Sequence, residues 1–224
     1  AFVTLHGAEQ VRTVFIRGAG GTFCAGADLG WMRDAADWSE SDNRDDAMGL
    51  AKMLKALHDV PALTVAIVEG AAMGGGAGLV AACDMAVAVK GAKFAFSEVK
   101  LGLIPATIAP YVIEAVGARK ARQLFMTGNM FDADHAAQAG LVDAVLPNAD
   151  AIDGFVSTLT DSMRPCAPGA VGDAKRLVHH VAGQRLDAGL MEDTARRIAR
   201  ARVSTEGQEG VRAFLDKRKA TWAE

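Results

Sequence analysis

The stretch that most restricts what this chain can fold into is Leu63 to Val68, an apolar run rich in β-branched residues, followed directly by the glycine-rich segment Glu69 to Asp84. A short apolar run without polar alternation is the signature of a strand buried on both faces, as in a parallel sheet. The residues after it read as a glycine turn and then a buried helix reaching about Cys83. Gly74, Gly75 and Gly76 carry no Cβ, so a ligand can touch the main-chain N–H groups where that helix begins. The same glycines would also serve a tight strand-to-helix crossing with small residues for close packing. A second site must accompany them before they imply chemistry.

The rest of the chain supports an α/β sheet. Val11 to Gly18 reads as a strand closed by Gly18, Gly20 and Gly21, and Met85 to Val89 and Lys93 to Val99 as two more. Trp31 to Asp46 is polar and acidic with Ser39, Asp42 and Asn43 as candidate caps, and the apolar spacing of Ala47 to His58 predicts an amphipathic helix ending before Pro61. From Ala106 onward the pattern is helical except for a strand expected at Leu141 to Leu146. Helices are expected over 150–163, 169–181 and 186–203. Strands alternating with helices argue against a β-sandwich.

At 224 residues and 50% hydrophobic content the chain can build one sizeable core with a smaller helical annex. A net charge of −3 gives no bulk attraction to nucleic acid, and the arginines 196, 197, 200 and 202 read as a solvated helix face or an inter-subunit salt-bridge face. Cys24, Cys83 and Cys166 are an odd, widely spaced set, which suggests neither a disulfide framework nor a zinc site and fits a reducing, cytoplasmic setting. No apolar run approaches the length that spans a bilayer, so no membrane partner is expected. The five histidines show no ligand spacing, and no metal is expected.

A second small-residue loop, Phe23 to Leu29, follows the first strand. Two such loops can aim one N–H each at a single oxygen, an oxyanion hole in which each donor is typically worth about 3 kcal/mol. Glu98 stands further on, in Phe94 to Pro105. These three segments, with Cys83-Asp84, Leu124 to Gly128, Ala136 to Val142 and Glu209 to Lys219, resemble the crotonase superfamily, the enoyl-CoA hydratase/isomerase family, over almost the whole chain.

The resemblance implies a spiral of ββα units over residues 1–147 as an acyl-CoA-binding core, and a C-terminal helical region over 148–224 for oligomerisation and closure of the CoA site. It implies a homotrimer or a dimer of trimers, an acyl-CoA thioester as substrate, and no cofactor beyond the coenzyme A of that substrate. It also implies a truncated start, with a strand and most of a helix missing before Ala1. Carried over by position, Ala27 and Gly75 supply the two N–H donors, Ala25, Asp28, Leu29 and Gly74 line the substrate, and Phe214 and Lys217 reach the coenzyme A.

Glu98 matches the acid/base residue, with Phe94, Phe96 and Leu101 expected as its apolar walls, whereas the position of the family's other glutamate is Gly78. One glutamate leaves hydration and double-bond isomerisation open, beside a non-catalytic acyl-CoA binder. Resemblance of 27–33, Gly78 and 103–112 to bacterial methylglutaconyl-CoA and isohexenylglutaconyl-CoA hydratases favours hydration. Arg33, Thr107 and Tyr111 are candidates for reading the acyl tail.

Overall fold

The computed structural model describes residues 2–8 and 10–223; Ala1, at which the sequence opens, lies outside them, as do Glu9 and Glu224. The strands are β1 (Thr13–Arg17), β2 (Leu63–Val68), β3 (Ala71–Met73), β4 (Met85–Val89), β5 (Lys93–Ala95), β6 (Phe131–Asp132) and β7 (Ala144–Leu146). The helices are α1 (Phe2–Leu5), α2 (Leu29–Ala35), α3 (Glu40–His58), α4 (Gly75–Ala81), α5 (Ala109–Thr127), α6 (Ala133–Ala139), α7 (Ala151–Met163), α8 (Pro168–Val181), α9 (Ala188–Val203) and α10 (Thr205–Leu215).

The buried runs form an all-parallel sheet in the order β1-β2-β4-β7. Successive side chains leave opposite faces of a strand, and each face has its own core. Ala66, Val68, Ala86 and Ala88 join the larger core with Leu54 and Leu57 of α3 and Val112 of α5, while Val65, Ile67 and Val87 pack against Ile152 and Phe155 of α7. A second sheet runs in the order β3-β5-β6, with β3 parallel and β6 antiparallel to β5. β2 and β3 lead into α4, and β4 and β5 lead into α5, which is the ββα repeat.

Asp84 locks these layers together. Its Oδ2 accepts from Thr64 N (2.7 Å), from Thr64 Oγ1 (2.8 Å) and from Lys175 Nζ (2.8 Å), tying β2, the α4–β4 turn and α8 to one carboxylate. The same docking sets His58, at the end of α3, face to face with His179 of α8, and burial followed by the neighbouring ring lowers the His58 pKa.

Several boundaries differ from the sequence-based expectation for local reasons. α3 begins at Glu40 because Ser39, one of the candidate caps, forms a reciprocal cap with Asp42, so the helix starts seven residues before Ala47. Asp28 caps a further helix, α2, by accepting from Trp31 N at 2.9 Å. The strand expected over 93–99 stops at Ala95, and Glu98 opens a short 3-10 helix, Glu98–Leu101. β7 starts only at Ala144 because the N–H groups of Leu141 and Val142 turn back onto Ala136 O (2.9 and 3.4 Å), closing α6.

Beyond β7 the described chain is helical. Two of the arginines, read as a solvated or inter-subunit salt-bridge face, pair within their own helix: Arg197 Nε bonds Asp193 Oδ2 at 2.6 Å, and Arg196 lies 3.9 Å from Glu192 Oε1.

Candidate active site

Three-residue β3 brings the site together. On one side Cys24 N donates to Ala71 O (2.9 Å) and Met73 N donates to Cys24 O (3.0 Å), so the loop after β1 runs parallel to β3. On the other side β3 pairs with β5, and the pairing continues as Gly74 N donates to Ala95 O (2.9 Å). The segments carrying Ala27, Gly75 and Glu98 therefore leave three adjacent lines of backbone in the same direction.

Glycine permits the close approach. Gly74 adopts φ 51 and ψ −118, and a β-carbon there would lie 3.2 Å from Glu98 Oε1. A β-carbon on Gly76 would lie 2.7 Å from both Cβ and O of Cys24, nearer than atoms can pack. The loop holding Ala25 and Ala27 thus lies against the beginning of α4. Among the described residues, neither the Ala27 N–H nor the Gly75 N–H has a backbone acceptor. Gly75 is the first residue of α4, where an N–H has no partner within the helix.

Glu98 faces this junction with its carboxylate. Its Oε2 is buried and without a hydrogen-bond partner, and its carbonyl is held by Leu103 N at 3.0 Å. Burial raises its pKa above the ordinary glutamate value. A carboxyl with one buried, unpartnered oxygen and a charge disfavoured by burial is suited to passing a proton.

The walls are not those expected. Leu101 is 62% exposed, and Phe94 and Phe96 are turned into the core, where they pack on Phe131 and Phe125. A strand sends residues 94 and 96 to one face, and the chain leaves the strand at Ala95, so Glu98 does not share that face. A packing partner of Gly78 missed in the sequence is Ile108. A β-carbon on Gly78 would lie 2.2 Å from Ile108 Cγ2, so the isoleucine fills the position from which a second carboxylate would extend.

The structure sets Glu98 against Gly74, and Cys24 and Gly26 against Gly76 and Met73, with Ala25, Ala27 and Gly75 their neighbours in the chain. Asp28 is committed to capping α2, and Leu29 is exposed beside it. Phe214, 82% exposed, and Lys217, at φ 53 just past the end of α10, stand on a helix that packs on α9 and Trp222. Tyr111 meets the His58 ring edge-on with centroids 5.3 Å apart, at the opposite end of α3 from the acidic cap. Arg33 is exposed on α2 and Thr107 is half-buried in the loop before α5.

An α/β core of ββα repeats, with two small-residue loops packed together beside a carboxyl whose buried oxygen has no partner, defines the class of fold. Comparison with known proteins gives that class its family. The sequence model of the Enoyl-CoA hydratase/isomerase family matches residues 1–224, and the chain belongs to that family. AtuE of Pseudomonas aeruginosa superposes with a TM-score of 0.95 at 36% identity, over 100% of this chain and 86% of that one. An enoyl-CoA hydratase from Shewanella pealeana superposes with a TM-score of 0.94 at 38% identity, over 99% and 82%. The enoyl-CoA isomerase/hydratase fer4 of Mycosarcoma maydis is 34% identical over 93% of this chain and 75% of its own length.

Proposed function

We propose that the protein is an enoyl-CoA hydratase that adds water across the 2,3 double bond of an acyl-CoA thioester. The observation that carries this reading is the buried, unpartnered Glu98 Oε2 on a carboxylate whose other oxygen faces Gly74, one residue before a free Gly75 N–H. The N–H groups of Ala27 and Gly75 bind the thioester oxygen and take up the negative charge that grows there as the oxygen of water bonds to the β carbon. The Glu98 carboxylate accepts the proton that water gives up and returns it to the α carbon, so no net proton is gained or lost. Coenzyme A enters as part of the substrate, and the chemistry calls for no further cofactor.

Ala25, Asp28, Leu29 and Gly74 line the path of the thioester arm, with Phe214 and Lys217 at its far end. The resemblance at 27–33 and 103–112 favours a branched, glutaconyl-type acyl group. Residues 148–224 form the oligomerising region of a homotrimer or dimer of trimers, a reading supported by the exposed apolar side chains Leu186, Val203, Phe214 and Leu215. Among the described residues no helix is long and apolar enough to cross a membrane.

One observation favours a second reading. Ile108 fills the space at Gly78, which leaves Glu98 as the carboxyl that matches the family's acid/base positions, and one carboxyl is enough to shuttle a proton along an acyl chain in a double-bond isomerase. The test uses a panel of 2-enoyl-CoA and 3-enoyl-CoA thioesters, glutaconyl types included, followed by loss of conjugated-thioester absorbance. Hydration of a 2-enoyl-CoA, with kcat lowered about 10²–10⁴-fold in Glu98→Gln while thioester binding stays nearly intact, is the expected result. Migration of the double bond without loss of any 2-enoyl-CoA selects the isomerase. Unchanged turnover in Glu98→Gln removes Glu98 from the chemistry.

A further inference from the structure

Two histidines that are remote in sequence meet where the C-terminal helices dock on the sheet. The rings of His58 and His179 stack with centroids 4.1 Å apart and planes 7° apart. Asp59, the residue that ends α3, sets its carboxylate beside them, and a ligand atom from each of the three residues lies within 4.8 Å of the others. Glu114 of α5 brings its Oε2 to 3.9 Å from His58 Nε2, too far for a hydrogen bond. The trio is half-buried at the seam between a cleft of about 570 Å³, lined in part by His58, Glu114 and His179, and one of about 420 Å³, lined in part by Asp59 and His179.

We propose that His58, His179 and Asp59, with Glu114 within reach as a fourth donor, form a binding site for a divalent transition-metal cation of the zinc type. Two imidazoles and one or two carboxylates match the donor preference of zinc, cobalt and nickel, whereas magnesium and calcium favour all-oxygen sites. The neighbouring positive charges are already engaged: Lys175 Nζ bonds Asp84 at 2.8 Å and Arg176 bonds Asp173 at 2.6 Å. Lys55 pairs with Asp59 through Oδ2 alone. Bonds of about 2.0–2.1 Å around a tetrahedral ion hold its ligand atoms roughly 3.3 Å apart. Binding therefore turns the two rings out of their parallel stack until their lone pairs converge, closing the ligand atoms by up to about 1.5 Å, a change open to half-buried side chains on the rim of a cleft.

A cation here bonds the end of α3 to α8 and so fastens the C-terminal helices to the sheet. The cleft touches α4 at Val80 and Ala81, the opposite end from Gly75, which separates this site from the one at Glu98. Its effect falls on stability and not on turnover.

The test takes the full chain, stripped with EDTA, and titrates it with ZnCl2 and separately with CoCl2. The expected result is one equivalent bound per chain, a concentration-dependent rise in unfolding temperature, and visible absorption bands from the bound cobalt. His58→Ala and His179→Ala each weaken binding by about 10-fold or more, while His135→Ala, on α6 outside the trio, leaves it unchanged. His179→Gln keeps the test decisive if loss of the His58 ring prevents folding. Zinc and cobalt binding that survives in the His179 variants, or no stabilisation by either ion, overturns the proposal, and an equal response to MgCl2 assigns the effect to nonspecific carboxylate binding.

Discussion

Gly78 and Ile108 compete for one volume: a β-carbon on the glycine would sit 2.2 Å from Cγ2 of an isoleucine that is itself only 2% exposed. Overpacking of this kind costs about 1–3 kcal/mol, more than the gain of about 1 kcal/mol from replacing a helical glycine. Gly78→Ala is therefore expected to destabilise the protein, and Ile108→Ala to cost about 2–5 kcal/mol by opening a cavity. The double variant is expected to lose less than the sum by about 1–2 kcal/mol, because each change relieves the other. Urea unfolding of the four proteins measures this coupling, and additive losses would show that the two residues do not share the space. Restoring a glutamate at position 78 alone meets the same obstacle before any chemistry is gained.

Gly76→Ala is expected to impair turnover more than folding. Its β-carbon would lie 2.7 Å from Cβ and from the carbonyl oxygen of Cys24, so the loop carrying Ala27 must withdraw from Gly75. On the proposed role of these two N–H groups, drawing them apart removes transition-state stabilisation, with kcat falling by about 10²-fold or more. Cys24→Ala in the same chain is expected not to rescue it, because the main-chain oxygen remains in the way. Steady-state kinetics on the two variants, with circular dichroism to confirm folding, decides the matter; full rescue would place the conflict at the thiol alone.

The legibility of these features tracks the range of the interactions that create them. β2 and β4 were readable because burial on both faces is written in their own composition, and β2 has the bounds expected from it. The three-residue β3 has too few residues to show a period, yet its pairing with Cys24 and with β5 brings the loops together, and that pairing is non-local. Ala27, Gly75 and Glu98 were found by resemblance, since no spacing rule connects them. The misplacement of Leu101 followed from extending β5 past Ala95, which put Glu98 on a strand face it does not occupy. His58 and His179 carry no local signal at all; only the docking of α8 makes them neighbours.

Lys175→Met is expected to destabilise the fold by about 3 kcal/mol. The Lys175 side chain is only 9% exposed and bonds Asp84, whose carboxylate also serves two donors on Thr64. Removing the ammonium leaves a largely enclosed carboxylate without its countercharge. Asp84→Asn in the Lys175→Met background is expected to recover part of the loss, since a neutral amide needs no countercharge and its oxygen still accepts from Thr64. Thermal unfolding of the single and double variants tests this, and a Lys175→Met protein as stable as the parent would reduce the bond to a surface contact.

Glu98→Gln, besides slowing catalysis, is expected to stabilise the protein at neutral and alkaline pH. Burial raises the Glu98 pKa in the folded state, so the folded chain holds this proton more tightly than the unfolded chain. Stability from that proton is fully present below the ordinary glutamate pKa and is lost as pH rises through the elevated folded value. Glutamine is neutral throughout and escapes that loss, as happens where a strained functional group is replaced by an inert one. The difference in unfolding temperature between variant and parent is therefore expected to be small at acidic pH and to grow in favour of Glu98→Gln as pH rises, levelling off once the parent carboxyl is ionised. A difference that stays constant across the series, or that favours the parent at high pH, would mean the Glu98 carboxylate is compensated in the folded state despite its buried, unpartnered Oε2.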